Sequence, residues 1–301
     1  MMENLENLEK IDLHMHSNYS DDADLPVAEL ISRCKAHGIT MLAVTDHNSA
    51  SSVAEASALA DSALRTISGI EIDCTFDGRN YHLLGYGFTP SDDFSQIHRN
   101  FSELQRKLAP KKIEALRHYG FIVDENALAE LAGERVPQEE QMAEVILADD
   151  RNKNNPLLHP YRSGGSRSDM PLINFFWDFF GAGRPCYIPV SYPAMEQMVD
   201  VIRSNGGTPV IAHIGANIKQ QYQEVLTDMQ KVGVMGIEVF SSYHSPELEA
   251  WLYDFALKQN LHVTCGSDFH GHNKPKIEVG QCGYNASQLA AIRRFTDTVT
   301  A

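Results

Sequence analysis

The sequence is short of positive charge, since its 301 residues include 25 lysines and arginines against 40 aspartates and glutamates, a formal net charge of -15. Such a chain repels a phosphate polymer, so it is not expected to bind long DNA or RNA. With 43% hydrophobic and 22% charged residues, the chain is not of the disordered or collagen-like class. An anionic substrate would need positive charge from a local source, such as metal ions held by acidic and imidazole side chains.

No run of 18 apolar residues occurs, and the first ten residues are polar and acidic. We therefore expect no membrane span and no signal peptide, and we predict a cytoplasmic location. The five cysteines are odd in number and never form a Cys-x-x-Cys pair, which argues against a disulfide framework or a zinc ribbon. They are expected to be small buried hydrophobic side chains.

Short apolar runs alternate with amphipathic helical stretches in two parts of the sequence. The first part contains strands predicted near 11–15, 39–44 and 67–76, and Asp77-Gly78 predicts a hairpin that returns through 81–86. The second part contains strands predicted near 208–212, 236–240 and 261–265, with helices between them. This alternation predicts an α/β fold with a mostly parallel sheet, open or closed into a barrel.

Between about residues 90 and 183, helical segments such as 110–118 follow one another without convincing strands. We predict a helical insert, residues 96–183, that caps a discontinuous domain of residues 9–95 and 184–301. Residues 151–168 of the insert contain no acid and four cations, namely Arg151, Lys153, Arg162 and Arg167. This segment is either a solvated surface loop or a substrate contact.

Histidines and carboxylates occur at the ends of the predicted strands. His14 and His16 lie two residues apart on the first strand, so both imidazoles can face one ion. If Asp77-Gly78 is the turn, Asp73 faces His82 across the hairpin, and Glu71 lies on the same face. Further candidates follow the other strands: His47, His213, His244, Asp268 and His270.

The carboxyl ends of strands in β/α folds share one rim, so these side chains are expected to meet. Glu71 lies between two isoleucines, where an unpaired charge is costly, and therefore needs a cation partner. We predict a polynuclear metal site. Nitrogen and oxygen ligands without a thiolate suit Zn, Mn or Fe, and the sequence does not choose among them.

Several motifs resemble, in order and type, those of the PHP (polymerase and histidinol phosphatase) family in the amidohydrolase superfamily. They are His14-x-His16 with Ser20-Asp21, Thr45-Asp46-His47, Gly69-Ile70-Glu71, the stretch from His82 to Tyr86, Ala212-His213 and Gly266-Ser267-Asp268-x-His270. The resemblance covers about residues 9–100 and 180–285, and stand-alone family members carry a variable cap between these parts. It implies a distorted (β/α)7 barrel with two or three metal ions at the carboxyl ends of its strands.

The resemblance also implies which residues bind the ions. The first ion would be held by His14, His16, Glu71 and Asp268, the second by Glu71, His82 and His213, and the third by Asp21, His47 and His270. Some relatives have a histidine at the place of Asp21, so the third site here would have a different metal selectivity.

In a subgroup of stand-alone phosphoesterases, an arginine after the insert and a histidine after a Gly-Ile-Glu-Val strand bind the phosphate. The matching residues here are Arg184 and His244. Arginine can donate two parallel hydrogen bonds to phosphate oxygens. Arg162 and Arg167 would bind a second phosphate or a sugar, which would make the insert a specificity lid.

The function predicted is metal-dependent hydrolysis of a small organic phosphate, with release of inorganic phosphate and no obligatory protein partner. Phosphomonoesters, nucleotide bisphosphates and cyclic phosphodiesters of ribose phosphates all remain open as substrates. One alternative is a binuclear-metal C-N or lactone hydrolase, against which Arg184 and the cationic segment argue. The other is a non-catalytic PHP module, against which the full ligand set argues.

Overall fold

The computed structural model describes residues 9–300. Its strands form two sheets. In the first sheet the order is β1 (Lys10–Asp12), β2 (Ile39–Leu42) and β3 (Arg65–Thr66). In the second it is β4 (Gly69–Phe76), β5 (Arg79–Tyr86), β6 (Thr208–Ile211), β7 (Gly236–Ser241) and β8 (His262–Gly266). These strands confirm the predicted α/β class.

Strand β5 is antiparallel to both of its neighbours, β4 and β6, whereas the other pairs are parallel. The tight turn at Asp77 and Gly78 explains the reversal, because a two-residue connection can only join antiparallel strands. The turn also fixes the predicted register, in which Asp73 pairs with His82.

A few backbone contacts join the two sheets on two sides. On one side a parallel bridge joins Met15 to Phe269, and the Leu13 N–H donates to the Cys265 carbonyl at 3.0 Å. On the other side a parallel bridge joins His47 to Glu71. These contacts do not form a continuous ladder, so the closed seven-stranded barrel stays a prediction.

Helices connect the strands and cover them. Before β4 lie α1 (Val27–Ala36) and α2 (Val53–Ala58), and beside the later strands lie α7 (Met195–Ser204), α8 (Ile214–Asn217), α9 (Tyr222–Lys231), α10 (Pro246–Lys258) and α11 (Ala286–Val299). The apolar faces of the helices and the sheet interiors form the main core. All five cysteines are buried and unpaired, as predicted. In the described part of the chain, no helix combines the length and apolar character that crossing a bilayer requires.

Between β5 and β6 the chain is helical, as predicted for the insert. It forms α3 (Asp92–His118), α4 (Glu125–Ala132), α5 (Glu139–Ala148) and α6 (Pro171–Phe179), with short 3-10 turns between α5 and α6. These helices enclose a hydrophobic cluster of their own, centred on Leu116, Phe121, Met142, Phe175 and Phe179. The division into two domains remains a prediction.

Candidate metal centre

The carboxylate of Glu71 lies at the centre of a buried group of imidazoles. Its Oε1 lies 2.9 Å from Nδ1 of His82 and 3.0 Å from Nε2 of His213. Its Oε2 lies 3.1–3.3 Å from one ring nitrogen of each of three more histidines, which are His14, His16 and His47. Burial alone raises the pKa of Glu71, but the surrounding imidazoles outweigh burial and hold it well below its usual range. Glu71 is therefore an anion placed to bridge neighbouring cations.

Asp268 completes the group around His14 and His16. Its Oδ1 lies 3.3 Å from Nε2 of His14 and 3.2 Å from Nε2 of His16. The backbone of Asp268 has a φ of 59°, in the left-handed region that residues other than glycine seldom adopt. Its N–H donates to the His14 carbonyl at 2.8 Å, so the chain after β8 is bound to the chain after β1. Local strain of this kind is typical of functional sites.

A third group lies beside the first. The Oδ2 of Asp22 is 3.6 Å from Nε2 of His47 and 3.4 Å from Nε2 of His270. The His16 ring packs against both of these imidazoles. The sequence analysis assigned Asp21 to this position, but the Asp21 carboxylate accepts a hydrogen bond from Gln138 at 3.3 Å instead. Successive side chains in a turn point in different directions, so spacing alone does not distinguish Asp21 from Asp22.

The arrangement fits divalent metal ions. Ligand atoms at about 2.1 Å from an ion lie about 3.0–3.4 Å from one another in octahedral or tetrahedral coordination, and most of the distances above fall in or near this range. Oε2 of Glu71 and Nδ1 of His47 are buried and lack a well-aligned hydrogen bond to any described residue. Burying such atoms without partners is costly. The structure contains three sets of closely spaced nitrogen and oxygen ligand atoms, none of which includes a cysteine. Such sets suit divalent metal ions.

The histidine His16 is held by a short hydrogen-bonded chain. Its Nδ1 lies 2.9 Å from Oγ of Ser20, which donates to Asp46 at 3.1 Å. Burial and the neighbouring His270 and His47 lower the pKa of His16 to about 3. The ring is therefore neutral, which a metal ligand must be, and the bonded Nδ1 leaves Nε2 directed at the cluster.

Other residues of the centre were missed by the sequence analysis or given no role there. Asp73 lies 3.2 Å from Nε2 of His82 and also accepts from the Asn48 amide at 2.6 Å. The ammonium of Lys274 donates to the Oδ2 of Asp268. Glu238 is fully buried and contacts His14. The hairpin register predicted that Asp73 is near His82, whereas no sequence signal indicated Lys274 or Glu238.

A cavity of about 470 Å³ lies over the metal centre. Its floor includes six of the candidate ligands: Asp22, His47, His82, His213, Asp268 and His270. Its aromatic wall comes from α3, α6 and the segment after α6, with Phe101, Phe176, Trp177, Phe180, Tyr187 and Tyr192. Three cations also line the cavity: Arg79, Lys112 and Lys274. A small molecule bound here would touch the metal ligands and the aromatic wall together.

The phosphate contacts expected from the sequence lie elsewhere. His244 bonds the Val239 carbonyl through Nδ1 at 2.8 Å and accepts the Gly215 N–H through Nε2 at 3.0 Å, so neither nitrogen is free. Arg184 is exposed and does not line the cavity among the described residues. The phosphate roles of Arg184 and His244 therefore stay predictions, because the motif match defines their place in the chain and not the direction of their side chains.

The two arginines of the cationic segment are also outside the cavity lining. Arg167 forms two hydrogen bonds of 2.9 Å with the Asp178 carboxylate. Arg162 donates to the Asn152 carbonyl at 3.3 Å. The segment folds back on the insert, so the structure favours the alternative in which it is not a substrate contact.

Comparisons with known proteins agree with this centre. A family model described as PHP domain matches residues 12–154. A 3′,5′-nucleoside bisphosphate phosphatase from Chromobacterium violaceum is 28% identical over 276 residues, covering 90% of each chain. A phosphoribosyl 1,2-cyclic phosphate 1,2-diphosphodiesterase from Eggerthella lenta is 26% identical over 265 residues, covering 86% of this chain and 94% of the relative. A 5′-3′ exoribonuclease from Haemophilus influenzae is 24% identical, covering 87% and 90%.

Solved structures share the fold. An amidohydrolase from Chromobacterium violaceum, with bound sulfate and no metal, superposes with a TM-score of 0.75 at 25% identity and covers 90% of each chain. A structure from Bifidobacterium adolescentis has a TM-score of 0.76 at 23% identity and covers 94% and 95% of the two chains. With the family match over residues 12–154, the ligand motifs and relatives that span nearly its whole length, the chain is similar to the PHP-domain proteins.

Proposed function

We propose that the chain is a metal-dependent phosphoesterase that releases inorganic phosphate from a small organic phosphate. The observation that carries this proposal is the group of buried imidazoles and carboxylates at the floor of a 470 Å³ cavity. The C. violaceum and E. lenta relatives, a phosphatase and a phosphodiesterase, support the same reaction class.

Two or three divalent ions, Mn, Zn or Fe, would be held by the three groups of side chains. His14, His16, Glu71 and Asp268 would hold the first, Glu71, His82 and His213 the second, and Asp22, His47 and His270 the third. Bound ions of this kind lower the pKa of water and offset the charge of a phosphoryl group.

The chain itself supplies orientation and charge balance. Glu71 and Asp268 stay ionised and hold the neighbouring imidazoles in place, while Asp73 orients His82. Lys274 lines the cavity beside Asp268, and its ammonium balances the charge of that carboxylate. Positive charge for an anionic substrate would therefore come mainly from the bound ions.

We further propose that the substrate carries a nucleobase. The aromatic wall lines the same cavity as the metal ligands, and a planar base stacks on such side chains with about 1–3 kcal/mol per base. A sugar phosphate without a base has no planar ring to stack there. Nucleoside mono- and bisphosphates therefore fit better than ribose phosphates, and the name of the C. violaceum relative supports the same choice.

The test is phosphate release by protein stripped with EDTA and reloaded with Mn²⁺ or Zn²⁺. The substrates are a nucleoside 3′,5′-bisphosphate, a 5′-mononucleotide, ribose 5-phosphate and a cyclic ribose phosphate. We expect the highest kcat/KM for a nucleotide, no release in EDTA, and none from Glu71→Gln, which lacks the bridging charge. No release from any substrate by metal-loaded protein would refute the phosphoesterase, and a preference for ribose 5-phosphate would refute the nucleobase.

A further inference from the structure

Glu238 is a fully buried carboxylate in the middle of β7. Its Oε1 lies 2.8 Å from Nδ1 of His14, and its Oε2 accepts the backbone N–H of His213 at 2.8 Å. No lysine or arginine among residues 9–300 forms an ion pair with it within 4.0 Å. A buried polar side chain needs hydrogen-bond partners, and Glu238 takes both of these from the chain around two candidate ligands.

Both contacts lead to candidate metal ligands. His14 directs Nε2 at the cluster, 3.1 Å from Oε2 of Glu71. A neutral imidazole can offer the Nε2 lone pair to an ion only if its proton is on Nδ1. Glu238 accepts a hydrogen bond from that Nδ1–H, which selects the ligating tautomer and fixes the ring.

The second contact acts on the backbone. His213 follows β6, and its Nε2 lies 3.0 Å from Oε1 of Glu71. The bond from its N–H to Glu238 holds the chain where it leaves β6. Glu238 thus contacts the side chain of His14, a candidate ligand of the first ion, and the backbone of His213, a candidate ligand of the second.

The packing around Glu238 provides independent support. Gly266 lies opposite, and a Cβ at that position would be 2.6 Å from Oε1 of Glu238 and 2.0 Å from Cβ of His14. Both approaches are far below van der Waals contact. Only a glycine at 266 leaves room for the contact between Glu238 and His14.

We propose that Glu238 is a positioning residue of the metal centre, which sets the tautomer of His14 and the backbone position of His213. The inference rests on the proposed function, because it assumes that these two histidines bind metal ions.

The test is the affinity of the full-length protein for Zn²⁺, measured by competition with a chromophoric chelator, with the metal content of the reloaded protein as a second readout. Glu238→Gln keeps the size of the side chain but offers one acceptor and one donor in place of two acceptors. Whichever way the amide turns, its NH₂ group faces either the His14 Nδ1–H or the His213 N–H. Two hydrogen-bond donors then oppose each other. We expect a 10- to 100-fold weaker affinity for Zn²⁺.

The matched control is Glu114→Gln, the same change on the exposed face of α3, which we expect to bind Zn²⁺ like wild type. Should Glu238→Gln fail to fold by circular dichroism, Glu238→Asp takes its place, since it keeps both acceptors but withdraws them by about one bond length. Wild-type affinity in the folded variant overturns the proposal. Absence of Zn²⁺, Mn²⁺ and Fe²⁺ alike from the reloaded wild-type protein overturns the proposed function itself, so the two failures are distinguishable.

Discussion

At the scale of single residues, the two oxygens of Asp268 have different tasks. Oδ1 faces His14 and His16, while Oδ2 accepts a hydrogen bond from Lys274. Burial lowers the pKa of Lys274, but the Asp268 carboxylate outweighs burial and raises it above its ordinary value, so the ammonium stays charged. The side chain is 9% exposed. Lys274 is therefore the cation that offsets the cost of burying the Asp268 carboxylate when no metal is bound.

Replacing this cation should make stability depend more strongly on metal binding. In metal-free protein, Lys274→Met is expected to lower the free energy of unfolding by about 3–5 kcal/mol, because it leaves a buried carboxylate unpaired. Mn²⁺ should restore part of the loss, since the ion neutralises the same carboxylate. Urea unfolding in EDTA and in Mn²⁺ measures both effects.

Lys276→Met is the matched control for this change. Lys276 lies two residues further on, and its ion pair with Asp169, of 2.8 Å, is exposed to solvent. Exposed pairs contribute about 1 kcal/mol or less. Equal losses in the two variants would show that the pair between Lys274 and Asp268 has no special role.

Residue types and strand ends predicted much of the centre but not all of it. The structure brings His14, His16, Glu71 and Asp268 together, with the two histidines after β1, Asp268 after β8 and Glu71 near the start of β4. The choice between Asp21 and Asp22 depends on side-chain directions within a turn, which no spacing encodes. Glu238 resembles any glutamate in an apolar strand until its partners, 224 and 25 residues away, are known.

At the scale of elements, the local sequence predicted the hairpin correctly, because the turn fixes its geometry. It did not predict where α3 begins, because packing determines that boundary. The register of the hairpin followed from Asp77-Gly78 alone. The helix predicted at 110–118 is in fact α3, which begins at Asp92 and passes through Pro110. Proline is most common in the first turn of a helix and removes a backbone hydrogen bond elsewhere. The buried neighbours Leu108, Ala109 and Ile113 offset that loss.

Helix α6 supplies much of the aromatic wall, so replacing its exposed tryptophan tests whether the substrate carries a nucleobase. Trp177 lines the cavity and is 39% exposed. For a nucleotide, Trp177→Ala should raise KM by about 5- to 150-fold, the loss of one stacking contact. For ribose 5-phosphate the same variant should leave KM nearly unchanged. Steady-state phosphate release with both substrates gives the comparison.

The chain offers a close control in Trp251 on α10. It is 37% exposed, stacks on Phe255, and is absent from the cavity lining among the described residues. Trp251→Ala should leave KM for both substrates unchanged. If Trp177→Ala impairs both substrates equally, the wall excludes water or shapes the cavity but does not bind a base.

At the scale of the whole molecule, the metal centre draws on both sheets. His14 and His16 follow β1 in the first sheet, whereas Glu71, His82 and Asp268 lie in or after strands of the second. Composition and periodicity predicted the α/β class and the helical insert. Composition and periodicity left the sheet open or closed, because closure depends on a few backbone contacts between residues distant in sequence.

Ligands drawn from both sheets make stability depend on metal. Ions that bind only the folded chain add about 2.7 kcal/mol per site at 100 times the dissociation constant. EDTA should therefore lower the melting temperature, and excess Mn²⁺ or Zn²⁺ should raise it again, as followed by circular dichroism. In Glu71→Gln the metal-dependent shift should be much smaller. An identical melting temperature of the wild-type protein with and without metal would contradict a metal centre at this site.

The two junctions between the sheets lie directly under the candidate ligands. Met15, between His14 and His16, forms one junction, and His47 and Glu71 form the other. Backbone hydrogen bonds cross both junctions, from the Asp268 N–H to the His14 carbonyl at 2.8 Å and from the Asn48 N–H to the Glu71 carbonyl at 2.6 Å. The bonds that join the two sheets are therefore the bonds that hold the candidate ligands in place, so a substitution that weakens a junction should weaken metal binding as well.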